Sequence, residues 1–253
     1  MRWSAVTAAE VLGARAAAAS PGELAQALRI AEAVSAACER ILERAVAPRR
    51  AAVRLVARAG SCRFRSATMD YRYHDLLSID DVRLDLDGDG APETPTAEYL
   101  PVGSPPYRAV ALPRGYAGAV LIAGWWGMAD EQEPAGALAS PAAAGDGILQ
   151  LTSGHSLQPG HTAVIGGERC YVTAVSGGSA AVLRAQRGTA AAAHDAGAPV
   201  MREVCPPAIS AACLVEAVRL LRDGLTGYAA SVGPADLSLG IQLPAGCQPG
   251  PDL

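Results

Sequence analysis

The chain has 253 residues, of which half are hydrophobic, and a formal net charge of −4. This length is enough to bury one large core or two small ones. The acidic balance, and a longest basic run of only Arg49-Arg50, argue against a protein that grips nucleic acid through its phosphates.

Neither the cysteines nor the apolar runs indicate secretion or a membrane. The six cysteines are scattered without a C-x-x-C pair, which is typical of buried thiols and not of a zinc site or a disulfide framework. Glu10 and Arg15 interrupt the N-terminal apolar stretch, so a signal peptide is not expected. The longest apolar run, 117–129, is too short to span a bilayer. We expect a soluble product, or part of a particle assembled inside a cell.

Two helix starts can be recognised near the N-terminus. Thr7 and Glu10 have the spacing of a capping box, which predicts a short helix over 7–15. Ser20, followed by Pro and Glu in the first turn, predicts a longer helix over about 23–46. Apolar residues recur along it every three or four positions, so one face should be buried, and a proline soon after it ends the helix.

The region after the helix is predicted to form short antiparallel strands separated by turn residues. The predicted strands are 52–57, 61–68, 81–86, 98–101, 107–112 and 118–124. Residues 130–146 are small, acidic and rich in Pro and Gly, a composition typical of a linker. A second group of strands should follow and pair as hairpins. It comprises 147–152, 161–166, 168–175, 179–186 and 198–204.

Helical character returns at about 206–223, where proline opens the helix and Gly224 closes it. The tail 225–253 has too few large apolar groups to build a core alone, so it is either flexible or ordered by a partner. The expected class is α+β: a small helical bundle with a short antiparallel β region, plus an inserted all-β module of sandwich or barrel type. The predicted parts are a discontinuous core of 1–130 and 205–230, a linker at 131–146, the inserted module at 147–204, and the tail.

The stretch "LDLDGDGAPETP" looks like the front half of a calcium loop. Asp85, Asp87 and Asp89 occupy the first three ligand positions of an EF-hand loop, and Gly90 occupies the sixth. Thr96 stands where the bidentate glutamate should be, and strands flank the stretch where helices are required. The favoured interpretation is a tight turn, with a weak cation site as the alternative.

Residues 151–161 contain Ser153, His155, Ser156 and His161, a set that suggests a hydrolase. A G-x-S-x-G elbow is missing, and no strand-to-helix switch follows the serine. These groups are therefore interpreted as polar loop residues, and no catalytic residue or cofactor is expected. A hydrolase using Ser153 or His155 is kept as an alternative.

Trp125 and Trp126 end an apolar strand. Because neighbouring strand residues point to opposite faces, one of the two should pack inward. The other is a candidate contact with a neighbouring subunit, or is covered by the inserted module.

The order of the motifs resembles that of the head–tail connector proteins (adaptor or head-completion proteins) of long-tailed bacteriophages. The pieces that carry the resemblance are "LLSIDDVRLDLDGDGAPET", "EYLPVGSPPYRAVALP", "AGAVLIAGWWGM" and the helix start "PPAISAA". They cover most of 4–128 and 205–230. The segment 147–204 is similar to a small β module of phage virion proteins. Its hallmarks are Glu168, Arg187, Gly188, Thr189, His194, Gly197 and Val200.

The resemblance implies a structural virion protein without enzymatic activity. It implies a ring, twelve-fold in that family, that sits on the portal protein, extends the DNA channel and docks a stopper or tail-completion protein. DNA would pass through without sequence-specific binding, at a virion neck assembled in the host cytoplasm and away from membranes. The expected portal or neighbour contacts in the tail are Leu225, Tyr228, Leu237, Leu239, Ile241 and Leu243. A monomeric calcium- or carbohydrate-binding β module is the other alternative.

Overall fold

A computed structural model describes residues 2–64, 70–113 and 115–225. Within these ranges the chain forms three α-helices and thirteen strands, and the strands make three antiparallel sheets. The α+β class expected from the sequence is therefore confirmed. None of the helices in the described ranges is long and apolar enough to cross a membrane.

The three helices form one layer. Helix α1 is Ala8–Leu12, α2 is Pro21–Leu42 and α3 is Pro207–Leu225. Both predicted capping boxes are present, at Thr7 and at Ser20, because each hydroxyl accepts the N3 amide and each N3 glutamate accepts the cap amide. Helix α2 ends earlier than predicted, and helix α3 continues through the glycine that was expected to end it. The helices bury one shared cluster: Val6, Val11, Leu28, Val34, Cys213, Ala217 and Leu221.

The first sheet is four-stranded and packs against a three-stranded sheet. In the first, the order is β1 (Arg49–Ala57), β7 (Gly118–Trp126), β3 (Leu76–Leu84) and β4 (Thr94–Pro95). In the second, it is β2 (Ser61–Arg63), β6 (Ala109–Ala111) and β5 (Leu100–Pro101). Their common core contains Leu55, Phe64, Leu76, Val82, Val110, Ile122 and Trp126.

The remaining strands form a six-stranded sheet with a core of its own. They are β8 (Glu131–Ala137), β9 (Ile148–Gln150), β10 (Thr162–Ile165), β11 (Glu168–Ser176), β12 (Ser179–Leu183) and β13 (Pro199–Val204). The order across the sheet is β8-β13-β10-β11-β12-β9. The side chains of the core include Leu138, Leu149, Leu151, Ile165, Val172 and Val200.

The linker prediction is wrong for the first part of 131–146. Glu131–Ala137 is a strand that pairs with β13 from one end to the other, with one irregularity beside Met201. Its charged residues and proline are tolerated because β8 lies at a sheet edge, where one side needs no ladder partner. An edge strand of this kind has the same composition as a linker.

The helical layer touches both large sheets. On one side the amide of Ala8 donates to the carbonyl of Pro159 (3.1 Å), and the Tyr171 hydroxyl donates to Glu32 (2.8 Å). On the other side the buried carboxylate of Glu39 pairs with Arg49 at 3.2 Å. The layer therefore links the six-stranded sheet to the four-stranded one.

Candidate functional site

The predicted calcium stretch forms a turn that Asp85 closes. The two carboxylate oxygens of Asp85 accept the amides of Gly88 (2.7 Å) and Gly90 (2.9 Å), and both glycines have positive φ (79° and 91°). Ligand atoms of Asp85, Asp87 and Asp89 lie within 4.8 Å of one another. Because both oxygens of the one buried carboxylate already serve the turn, the geometry favours the turn interpretation.

A calcium titration tests that interpretation. Calorimetric titration of the protein with calcium chloride should give no saturable heat, and Asp87→Ala should give the same trace as the unaltered protein. A saturable heat that Asp87→Ala abolishes would show that the acidic turn is a cation site.

Ser153 and His155, the residues of the hydrolase alternative, line one pocket, but no hydrogen bond joins them in the part of the chain described. Ser153 and Ser156 are exposed, and neither has a hydrogen bond to a histidine there. His155 Nε2 lies 3.0 Å from the carbonyl of Gly177. His161 Nδ1 accepts the amide of Gln158 (3.1 Å), and burial, assisted by the positive charge of Arg202, lowers the pKa of His161 to about 4. This arrangement does not provide the serine–base pair of a nucleophilic site.

The two tryptophans point to opposite faces, as predicted. Trp126 is fully buried, 5.1 Å from Phe64 between ring centroids, and its Nε1 donates to the carbonyl of Ala51 (3.2 Å). Trp126 is therefore not a subunit contact, because its side chain lies in the core. Trp125 is half-buried, and the guanidinium of Arg169 in the six-stranded sheet lies 3.5 Å from its ring centroid. At least that face of the ring is covered by the same chain.

Arg169 belongs to a cluster of two arginines, two acidic residues and one aromatic ring between the two large sheets, which we call the arginine joint: Trp125, Asp130, Arg169, Arg187 and Glu203. Arg169 is 3% exposed and donates to Asp130 (2.7 Å) and to Glu203. Arg187, equally buried, donates to the other oxygen of Glu203. One carboxylate thus holds two guanidinium groups, which brings β11, the turn after β12 and β13 to one point.

Arg187 also reaches the four-stranded sheet. Its Nη1 lies 3.5 Å from the carbonyl of Pro48, and its Nη2 donates to Thr162 (2.5 Å). The next residue, Gly188, packs so closely on β1 that a Cβ there would lie 2.0 Å from the carbonyl oxygen of Arg50. The "Arg-Gly-Thr" hallmark therefore forms a close contact between the sheets, where only glycine fits.

A second buried cluster surrounds Glu168, and we call it the Glu168 staple: Glu168, Arg184, Ala185, Ala192 and His194. The carboxylate accepts hydrogen bonds from Arg184 Nε (2.7 Å) and Nη2 (2.6 Å) and from the amides of Ala185 and Ala192 (both 3.1 Å). It also accepts a hydrogen bond from His194 Nε2 (2.9 Å). Burial by itself raises the pKa of Glu168, but these donors outweigh it and lower the pKa to about 2. The staple fixes the 184–194 loop to β11.

A polar cleft of about 200 Å³ lies where the helical layer meets the sheets. Thr7, Glu10, His161, Arg187 and Cys205 are among its lining residues. Arg187 Nε is buried and has no hydrogen-bond partner among the described residues. The cleft can hold water or a small polar group.

The expected portal contacts mostly lie outside the described residues. Leu225 is the last residue of α3, while Tyr228, Leu237, Leu239, Ile241 and Leu243 belong to 226–253. Helix α3 leads into this segment and exposes an apolar side chain, Val215, of which 72% is exposed.

The resemblance to a virion module pointed to Glu168, Arg187 and His194, but Arg169, Arg184 and Glu203 carried no sequence signal. Their ion-pair partners are between 16 and 39 residues away along the chain, so no short spacing marks them. The chain matches no protein-family model, no curated protein and no solved structure.

Proposed function

We propose that the protein is a structural component of a bacteriophage-type virion, a head–tail connector that forms a ring on the portal vertex. The observation that carries the proposal is that the buried acidic side chains are bound by groups of their own chain. The buried carboxylates Glu39, Asp75, Glu168 and Asp85 all bind arginine or backbone amides of their own chain.

This pairing of buried charge fits a rigid building block, whose parts are held in one arrangement by ion pairs within the chain. Here Glu39 joins α2 to β1, and Asp75 binds Arg44 through both oxygens (2.6 and 2.9 Å) beside β3. The arginine joint and the Glu168 staple fix the six-stranded sheet in the same way. Buried pairs of this kind favour one arrangement of the parts, as a ring subunit requires.

The resemblance in motif order supports the same function. Its pieces fall on β3, the acidic turn, β7 and the start of α3. In this proposal, the six-stranded sheet is a module carried on the outside of the ring. The net charge of −4 suits a channel that DNA must pass without being held.

The tail segment 226–253 is proposed to attach the ring to the portal. In 237–243 the apolar residues Leu237, Leu239, Ile241 and Leu243 alternate with small or polar ones. These four large apolar residues are the ones that an apolar surface of the portal would contact.

Mass photometry of the purified chain, alone and with its portal, tests the proposal. We expect rings whose mass is a multiple of 25.7 kDa, or addition of such multiples to the portal. Replacing Leu237, Leu239, Ile241 and Leu243 by Ser should weaken portal binding at least tenfold, about 1.4 kcal/mol or more. The control variant Ser238→Ala/Gln242→Ala, on the alternate positions, should bind normally. A chain that stays monomeric with a full-length portal would contradict the proposal.

A further inference from the structure

Three of the five cysteines in the described residues gather in the helical layer. Cys38 is on α2, Cys213 is on α3, and Cys205 lies just before α3. Cys213 is 2% exposed, and the half-buried Cys38 and Cys205 pack against the same cluster. The other two, Cys62 and Cys170, are buried separately in the cores of the sheets.

Cys38 and Cys213 lie on the faces through which α2 and α3 pack together. Cys38 is one turn beyond the buried Val34 of α2, and Cys213 is one turn before the buried Ala217 of α3. Burial, assisted by the neighbouring thiol of Cys38, raises the pKa of Cys213 to about 12. Both thiols therefore lie where α2 packs against α3, and the half-buried Cys38 is also accessible to a small reagent.

We propose that Cys38 and Cys213 form an intramolecular disulfide that joins α2 to α3 when the protein meets a low-molecular-weight disulfide. Cys38 attacks one sulfur of oxidised glutathione and releases one glutathione thiol. Cys213 then attacks the mixed disulfide and releases the second. The two cysteines lose two protons and two electrons, and one glutathione disulfide is reduced to two thiols.

The cross-link would close a loop of about 175 residues, since 213 − 38 = 175. Such a closure restricts the unfolded chain and should raise the melting temperature by about 5 to 10 °C. The high pKa of Cys213 makes the closing step slow at neutral pH, because little thiolate is present. The inference is independent of the proposed virion role.

Peptide mapping after oxidation tests the proposal in a Cys247→Ser background, which removes the cysteine outside the described residues. The protein is treated with oxidised glutathione at pH 8.5 and digested with trypsin without reductant. Peptide 30–40 should be linked to peptide 203–219. Because the latter carries both Cys205 and Cys213, the variants Cys205→Ala and Cys213→Ala decide between them.

The link and the rise in melting temperature should persist in Cys205→Ala, disappear in Cys213→Ala and in Cys38→Ala, and reverse with dithiothreitol. Cys62→Ala should behave like the parent, and circular dichroism of the reduced variants checks that each one folds. Absence of the link from the folded parent, or a link kept in Cys213→Ala but lost in Cys205→Ala, would overturn the proposal.

Discussion

Replacing Glu168 with Gln should destabilise the protein by about 3 to 5 kcal/mol, because it leaves the buried guanidinium of Arg184 without its counter-charge. Urea unfolding followed by circular dichroism measures this loss. The matched control is Glu133→Gln, which removes a glutamate paired with Arg202 at 2.7 Å and 53% exposed, and it should cost less than about 1 kcal/mol. Equal losses in the two variants would show that the staple has no special role.

The same residue predicts a dependence of stability on pH. The pKa of Glu168 is lowered from its ordinary value of 4.5 to about 2 in the folded protein. Its contribution is therefore complete above pH 4.5 and is lost as the pH falls from about 4.5 to about 2. In Glu168→Gln the free energy of unfolding should fall less steeply across this window than in the parent.

Arg169→Ala should destabilise the protein by about 3 kcal/mol, since it removes a buried cation that holds Asp130, Glu203 and the ring of Trp125. The loss of stability should be smaller than that caused by removing the whole arginine joint, because Arg187 still binds Glu203. Tryptophan emission should shift to the red as Trp125 loses its cover, while Trp126 stays in the core.

Arg202→Ala is the control for this prediction. Arg202 lies on β13 and pairs with the exposed Glu133, so its loss should cost less than about 1 kcal/mol and leave the emission unchanged. If Arg169→Ala and Arg202→Ala were equal in stability and emission, the arginine joint would not be what holds the two sheets together.

Local signals predicted the helix starts, and they failed where the chain depends on distant partners. The capping boxes at Thr7 and Ser20 need only residues three positions away, so their presence could be read directly. The end of α2 could not, because Glu43 takes a left-handed conformation (φ 48°) that composition does not specify. Strand β8 was missed because an exposed edge strand and a linker tolerate the same residues.

The buried clusters were hardest to predict from the sequence. Glu168 and His194 are 26 residues apart and were singled out only by the resemblance to a virion module. Arg169 and Glu203 are 34 residues apart on strands separated by β10, and either could equally have been a surface charge. Because sheet pairing brings such residues together, their partnership follows from the fold and not from spacing.

Electron microscopy of the portal mixed with this chain tests the central claim most directly. Density for the chain should form an added annulus at the tail-facing end of the portal, with the six-stranded sheets projecting outward, and in intact particles it should lie between capsid and tail. Particles that have a complete neck in which this chain is absent from that junction would contradict the account.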